Sequence, residues 1–145
     1  MNDKKKSMSK MEQHCPCNKY LIIDDNMFNI MSIQSLCSKV KNIPKGADKA
    51  MDGNKGIAAL RKKLITCCEQ PYQLVIVDLN MPNLDGIGMM DEIQRMQKQE
   101  GKLLEYKDSL FIIATCQSKE SLDSDFRQHG FKYFLQTPIQ ASEVL

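Results

Sequence analysis

The chain has 145 residues, 42% of them hydrophobic and 26% charged, and a formal net charge of +2. That length builds one compact domain and leaves little for a second. The near-even charge balance gives no argument for nucleic acid or an anionic membrane as partner. No apolar run approaches the roughly 18 residues of a membrane span, and no apolar segment near the N-terminus reads as a secretory signal. Six cysteines (Cys15, Cys17, Cys37, Cys67, Cys68 and Cys116) match neither a disulfide framework nor zinc-ligand spacing. They are expected to be reduced thiols of a cytoplasmic protein.

Residues 1–19 are polar and lack apolar periodicity, with Lys4, Lys5, Lys6 and Lys10 clustered in them. This segment reads as a flexible basic tail or linker, with the domain expected over residues 20–145. From Tyr20 onward short apolar runs alternate with amphipathic stretches. Tyr20-Leu21-Ile22-Ile23 ends in Asp24-Asp25. Met27, Ile30, Ile33, Cys37 and Val40 then recur at helical spacing. A weak strand is placed between Asn42 and Lys49 by the need for a crossover partner. A second helix follows from Ile57, Leu60, Leu64 and Cys67. Leu74-Val75-Ile76-Val77 ends in Asp78, and Met89, Met90, Ile93 and Met96 mark a third helix. Leu110 to Ala114 ends in Thr115, Leu122 and Phe126 mark a fourth helix closed by Gly130, and Phe131 to Leu135 forms the last strand. Each strand run is apolar at consecutive positions, as in a parallel sheet covered on both faces. The alternation predicts an α/β fold with a doubly wound, five-stranded parallel sheet. Gln140 to Leu145 leaves room for about one turn of a fifth helix, short or truncated.

Open parallel sheets bind ligands beyond the carboxyl ends of their strands. Here those ends carry Asp24, Asp25, Asp78 and Thr115. Carboxylates crowded within a few ångströms repel one another, and coexist only if some are protonated or a cation binds. Hard oxygen ligands select Mg²⁺ or Ca²⁺, and a small, incomplete shell suits Mg²⁺. A metal beside one free carboxylate is equipped for attack on a phosphoryl group. Asp78, after the most apolar strand, is the expected nucleophile. Asp24 and Asp25 are expected metal ligands, and the main-chain carbonyl of Asn80 is placed to complete the shell.

These residues resemble the receiver domain of two-component response regulators and hybrid histidine kinases. The resemblance rests on Leu21-Ile22-Ile23-Asp24-Asp25-Asn26, on Ala50-Met51-Asp52-Gly53, and on Ile112-Ile113-Ala114-Thr115. It rests also on the stretch from Gly130 to Pro138-Ile139 and, most specifically, on Val75 to Gly86, which contains Asp-x-x-Met-Pro-x-x-Asp-Gly. It implies a flavodoxin-like (βα)5 receiver fold over about Tyr20 to Ile139. It further implies a signalling domain rather than an enzyme, in which Asp78 accepts a phosphoryl group from a histidine kinase or histidine phosphotransfer domain with Mg²⁺ as cofactor. Asp24, Asp25, Asp78 and Asn80 would hold the metal. Thr115 would take the place of the hydroxyl that bonds the phosphoryl oxygen, and Phe134 that of the aromatic switch. A place within a longer hybrid kinase chain is a further expectation of the resemblance.

One departure stands out. The family's lysine before the proline at position 138 is here Thr137. A charge-assisted hydrogen bond is worth about 1.5–3 kcal/mol, so its loss weakens phosphoryl binding about ten- to a hundredfold or more. Lys132 is expected near the opposite end of the sheet, leaving Lys119 as the candidate substitute cation. The alternative is therefore a degenerate receiver that serves as an interaction module. An aspartate-nucleophile phosphohydrolase would need an acid two residues after Asp78, where Asn80 stands. Other features have plainer readings: Asp85 as a helix start, the methionines as core filling, His14 and His129 as non-catalytic. Arg61-Lys62-Lys63 reads as a solvated helix face, and the link Gln97–Lys107 as a solvated elaboration.

Overall fold

The computed structural model describes residues 17–43, 46–66, 68–116 and 124–136. Strands β1 (Tyr20–Ile23), β2 (Ala47–Ala50), β3 (Leu74–Asp78), β4 (Leu110–Thr115) and β5 (Tyr133–Gln136) alternate with helices α1 (Met27–Ser38), α2 (Gly53–Leu64) and α3 (Gly86–Arg95). All neighbouring pairs are parallel, in the order β2-β1-β3-β4-β5. The doubly wound sheet read from the sequence is thus the observed one. The β1/β3 neighbourhood is where the winding direction reverses, and sheets of this kind bind ligands beyond the strand ends at such a point.

The consecutive apolar residues of each strand divide between two cores by parity, because successive side chains point to opposite faces. Leu21, Ile23, Val75, Val77, Phe111 and Ile113 pack with Leu60 of α2 and Met89, Met90 and Ile93 of α3. Tyr20, Ile22, Leu74, Ile76 and Ala114 pack with Ile30, Ile33 and Cys37 of α1. Each helix begins on a short polar cap, as the orphan N–H groups of a first turn require. Asn26 accepts from Phe28 N, Asp52 from Lys55 N and Asp85 from Gly88 N. The helix-start reading of Asp85 therefore holds.

Several expectations need correction. The link after α3 is not merely solvated. It continues as one π-helical turn (Met96–Glu100) and then a 3₁₀ turn (Leu104–Asp108). Leu103 and Tyr106 are buried in the core, and the Tyr106 hydroxyl donates to the carbonyl oxygen of Leu60 at 2.8 Å. Two apolar residues spaced three apart in a polar stretch were enough to fold it inward. Lys63 is not on a solvated face either: it is 3% exposed. Met27, counted in the apolar stripe of α1, is 45% exposed. The second strand is shorter than expected, and the described part of the fourth helical segment, Ser124–His129, is a 3₁₀ helix, Leu122 lying outside the described residues. Gly130 follows it with φ +101°, a backbone that disfavours a side chain. Cys17 is disulfide-bonded, against the expectation of six reduced thiols. Residues 1–16, carrying most of the expected tail, lie outside the described residues, as do Lys119, Thr137, Pro138 and the expected fifth helix. Residues 17–19 are tied to the sheet by Asn18 Nδ2, which donates to Asp48 Oδ1 at 2.8 Å, and by the Lys19 carbonyl, which accepts from Gln73 N at 2.9 Å. No helix among the described residues is long and apolar enough to cross a membrane.

The inward link yields a test. Tyr106→Ala should cost about 3–5 kcal/mol, as for other buried aromatics, and Tyr106→Phe about 0.5–1.5 kcal/mol for the lost hydrogen bond. Urea unfolding measures both; changes within about 0.5 kcal/mol, typical of exposed surface, would return the link to solvent.

Candidate functional site

Asp24 follows the last residue of β1 and is held there by backbone, its N–H donating to the Ala50 carbonyl at 3.0 Å. It is 1% exposed, and Asp24 Oδ1 accepts from Asn26 N at 2.8 Å. Asp25, the next residue, is exposed. Asp78 closes β3 and is half-buried. Ligand oxygens of these three carboxylates all lie within 4.8 Å of one another. Separate strand ends thus deliver them to one rim, as the sequence leads one to expect. Among the described residues no lysine or arginine forms an ion pair with any of them.

The electrostatic consequence is direct. Burial, and then the charge of Asp24, push the Asp78 carboxyl up to about 7; the Asn80 N–H, donating to Asp78 Oδ1 at 3.3 Å, opposes this, and Asp25 adds to it. Asp24 is also raised, by burial first, against the hydrogen bond from Asn26. Three oxygen donors with unrelieved like-charge repulsion are the chemistry of a hard divalent-cation site. The donor set fits Mg²⁺: three carboxylates, with no soft ligand grouped with them among the described residues.

Two glycines set the geometry. A Cβ on Gly86 would stand 2.5 Å from the Asp78 carbonyl oxygen, and one on Gly53 2.5 Å from that of Leu84. The Gly86 N–H donates to the Leu79 carbonyl at 3.1 Å. The loop 79–85 therefore folds back so tightly that α3 begins against the backbone of the acid. This accounts physically for a glycine eight positions after Asp78. Thr115 is fully buried at the end of β4, one step beyond Ala114, the register partner of Asp78. Phe134 lies on β5 opposite Ile113 and meets Phe126 edge-on, ring centroids 5.9 Å apart. Lys132 N donates to the carbonyl of Phe111 near the start of β4, so Lys132 is at the far end of the sheet, as expected. His129 pairs with Asp91 on α3, away from the three acids.

A family model described as the response regulator receiver domain matches residues 20–145. The chain belongs to the response regulator receiver domain family. It is 30% identical over 128 residues to the chemotaxis protein CheY of Bacillus subtilis, covering 88% of this chain and 92% of that protein. It is 31% identical over 126 residues to a probable chemotaxis protein CheY of Rhizobium etli, covering 87% and 85%. It is also 28% identical over 130 residues to hybrid signal transduction histidine kinase K of Dictyostelium discoideum, covering 88% of this chain but 10% of that kinase. Among solved structures, a receiver domain from Methylobacillus flagellatus superposes with a TM-score of 0.64 at 21% identity, covering 86% of this chain and 90% of that one. The CheX-CheY-BeF3-Mg²⁺ complex from Borrelia burgdorferi gives 0.65 at 22%, covering 86% and 81%. These likenesses establish the fold. As a receiver domain of two-component systems, the chain is a signalling domain rather than a conventional enzyme.

Sequence reasoning missed one feature of the site's surroundings. Phe28 and Met31, on the first turns of α1, are 80% and 57% exposed, directly after the acidic pair. Their signal was available: apolar residues of α1 occur off the stripe of Ile30, Ile33 and Cys37.

The repulsion gives a signed prediction. A carboxyl raised to about 7 in the fold, from 3.8, binds its proton more tightly when folded. Its stabilising contribution is full below pH 3.8 and is lost as pH rises to about 7. Asp78→Asn removes that loss. In chelator, the Tm of Asp78→Asn minus that of the parent chain should grow between pH 5 and pH 8, and Mg²⁺ should shrink the difference. A difference flat in pH would mean the three acids do not repel as described.

Proposed function

We propose that this receiver domain accepts a phosphoryl group on Asp78 from a phosphohistidine of a histidine kinase or histidine phosphotransfer domain, in the cytoplasm, with Mg²⁺ as cofactor. The observation that carries this reading is the clustering of Asp24, Asp25 and Asp78 within 4.8 Å at the strand ends. Asp24, Asp25, Asp78 and the main-chain carbonyl of Asn80 would hold the ion. When bound, it neutralises charge on the acids and on the transferring oxygens.

The chain's own residues do the rest. Asp78 must be ionised to attack; burial and the charge of Asp24 oppose that form, and a bound cation would favour it. One Asp78 oxygen takes the Asn80 N–H, leaving the other to form the new bond to phosphorus. The P–N bond to the donor histidine breaks, and that nitrogen keeps the electron pair. Thr115, one register step past Asp78 on the adjacent strand, supplies a hydroxyl to the bound phosphoryl oxygens. A shift of Thr115 is felt two residues down the β4/β5 ladder, where Ile113 pairs with Phe134. Phe134 then moves against Phe126, reshaping the face that a further partner would read. Phe28 and Met31 offer the donor an apolar foothold beside the acids.

Incubation with Mg²⁺ and acetyl phosphate, followed by intact mass measurement, should show a gain of one phosphoryl group that Asp78→Asn abolishes. No gain would favour the interaction-module reading, whose support is Thr137 in the lysine position. A double change of Phe28→Ala and Met31→Ala should slow labelling by a phosphohistidine donor about tenfold, in keeping with loss of two apolar contacts. It should leave labelling by acetyl phosphate unchanged.

A further inference from the structure

The end of the sheet away from the acids holds a second group of reactive side chains. Cys68 follows α2 and is half-buried on the wall of an open cavity of about 480 Å³, shared with Lys19, Gln70, Tyr72, Glu105 and Asp108. Lys63 Nζ donates to the Cys68 sulfur at 3.3 Å and to the Gln70 carbonyl at 2.8 Å, and sits 5.5 Å from the Tyr72 ring centroid. Lys19 Nζ approaches the same sulfur at 3.8 Å. Lys63 is 3% exposed, yet among the described residues no carboxylate forms an ion pair with it. A buried ammonium is costly without a counter-charge, and of the two atoms Lys63 Nζ donates to, the Gln70 carbonyl and the Cys68 sulfur, only the sulfur can become an anion. Two ammonium donors on one sulfur stabilise the thiolate, which is the nucleophilic form. Gln73, on the same wall, precedes Asp78 by five residues of strand, roughly 16 Å at 3.3 Å per residue. The two groups are thus chemically separate.

We propose that Cys68 is a nucleophilic thiolate held by Lys63 and Lys19, and a site of oxidation by hydrogen peroxide. The Cys68 sulfur attacks one peroxide oxygen. An S–O bond forms, the O–O bond breaks, and hydroxide leaves and takes a solvent proton to become water. Sulfur loses two electrons to give sulfenic acid, and peroxide is reduced by the same two. The cavity gives a small oxidant access, and the Lys63 ammonium lies beside the departing negative charge.

The test follows the rate of iodoacetamide labelling from pH 5 to pH 10 by peptide mapping. It is run on the unaltered chain, fragmentation of the mapped peptide separating an adduct at Cys68 from one at Cys67, with exposed Cys116 as internal reference. Comparing the pH of half-maximal rate removes differences in access. For Cys68 that pH should fall at least about one unit below that for Cys116. Lys63→Gln should raise it, and Lys19→Gln should raise it less. Dilute hydrogen peroxide with dimedone should then mark Cys68 ahead of Cys116. If Lys63→Gln fails to fold by circular dichroism, Lys19→Gln decides alone. A half-maximal pH at or above that of Cys116, no shift in a folded lysine variant, or no dimedone adduct at Cys68 overturns the proposal.

Discussion

Mutual repulsion among Asp24, Asp25 and Asp78 is the constraint around which the molecule is organised. Ionised carboxylates that close together would separate if they were free to move. Asp24 and Asp78 are not free, because both are fixed by backbone that the sheet has already committed. Asp24 is locked by its N–H on Ala50, and Asp78 is the last residue of β3, in register with Ala114. The hydrophobic faces of β1 and β3, buried on both sides, supply the stability that holds the acids in place. Electrostatic discomfort is thereby stored in a rigid frame, and a cation or a proton relieves it.

The small residues around the acids belong to the same account. Gly86 and Gly53 let the loop after β3 collapse against its own strand, so α3 starts on the carbonyl of Asp78. Asp85 caps that helix and Asp52 caps α2. The spacing of acid and glycine is thus a packing requirement. The methionines that follow on α3 fill the core beneath, with Met89 and Met90 buried.

Much of this was legible in the sequence because it depends on local rules. Unbroken apolar runs ending in Asp or Thr announce buried parallel strands, and the strand ends of such a sheet share one rim. What escaped depends on tertiary partners. Lys63 reads as surface because it follows Arg61 and Lys62, yet its amine finds a carbonyl, a sulfur and a ring that no local pattern reveals. Tyr106 reads as part of a polar loop until Leu60, 46 residues earlier, accepts its hydroxyl. The exposure of Phe28 depends likewise on which side of α1 meets the sheet. Helical periodicity fixes a stripe, but apolar residues on both sides of it leave the choice to packing.

Asp24 is 1% exposed while Asp25, the next residue, stands in water. Two neighbouring acids of the same charge thus sit in different surroundings. Dissolved salt screens the outer carboxylate and scarcely reaches the inner one, so Asp24 keeps its influence on Asp78 at ionic strengths that silence surface charges.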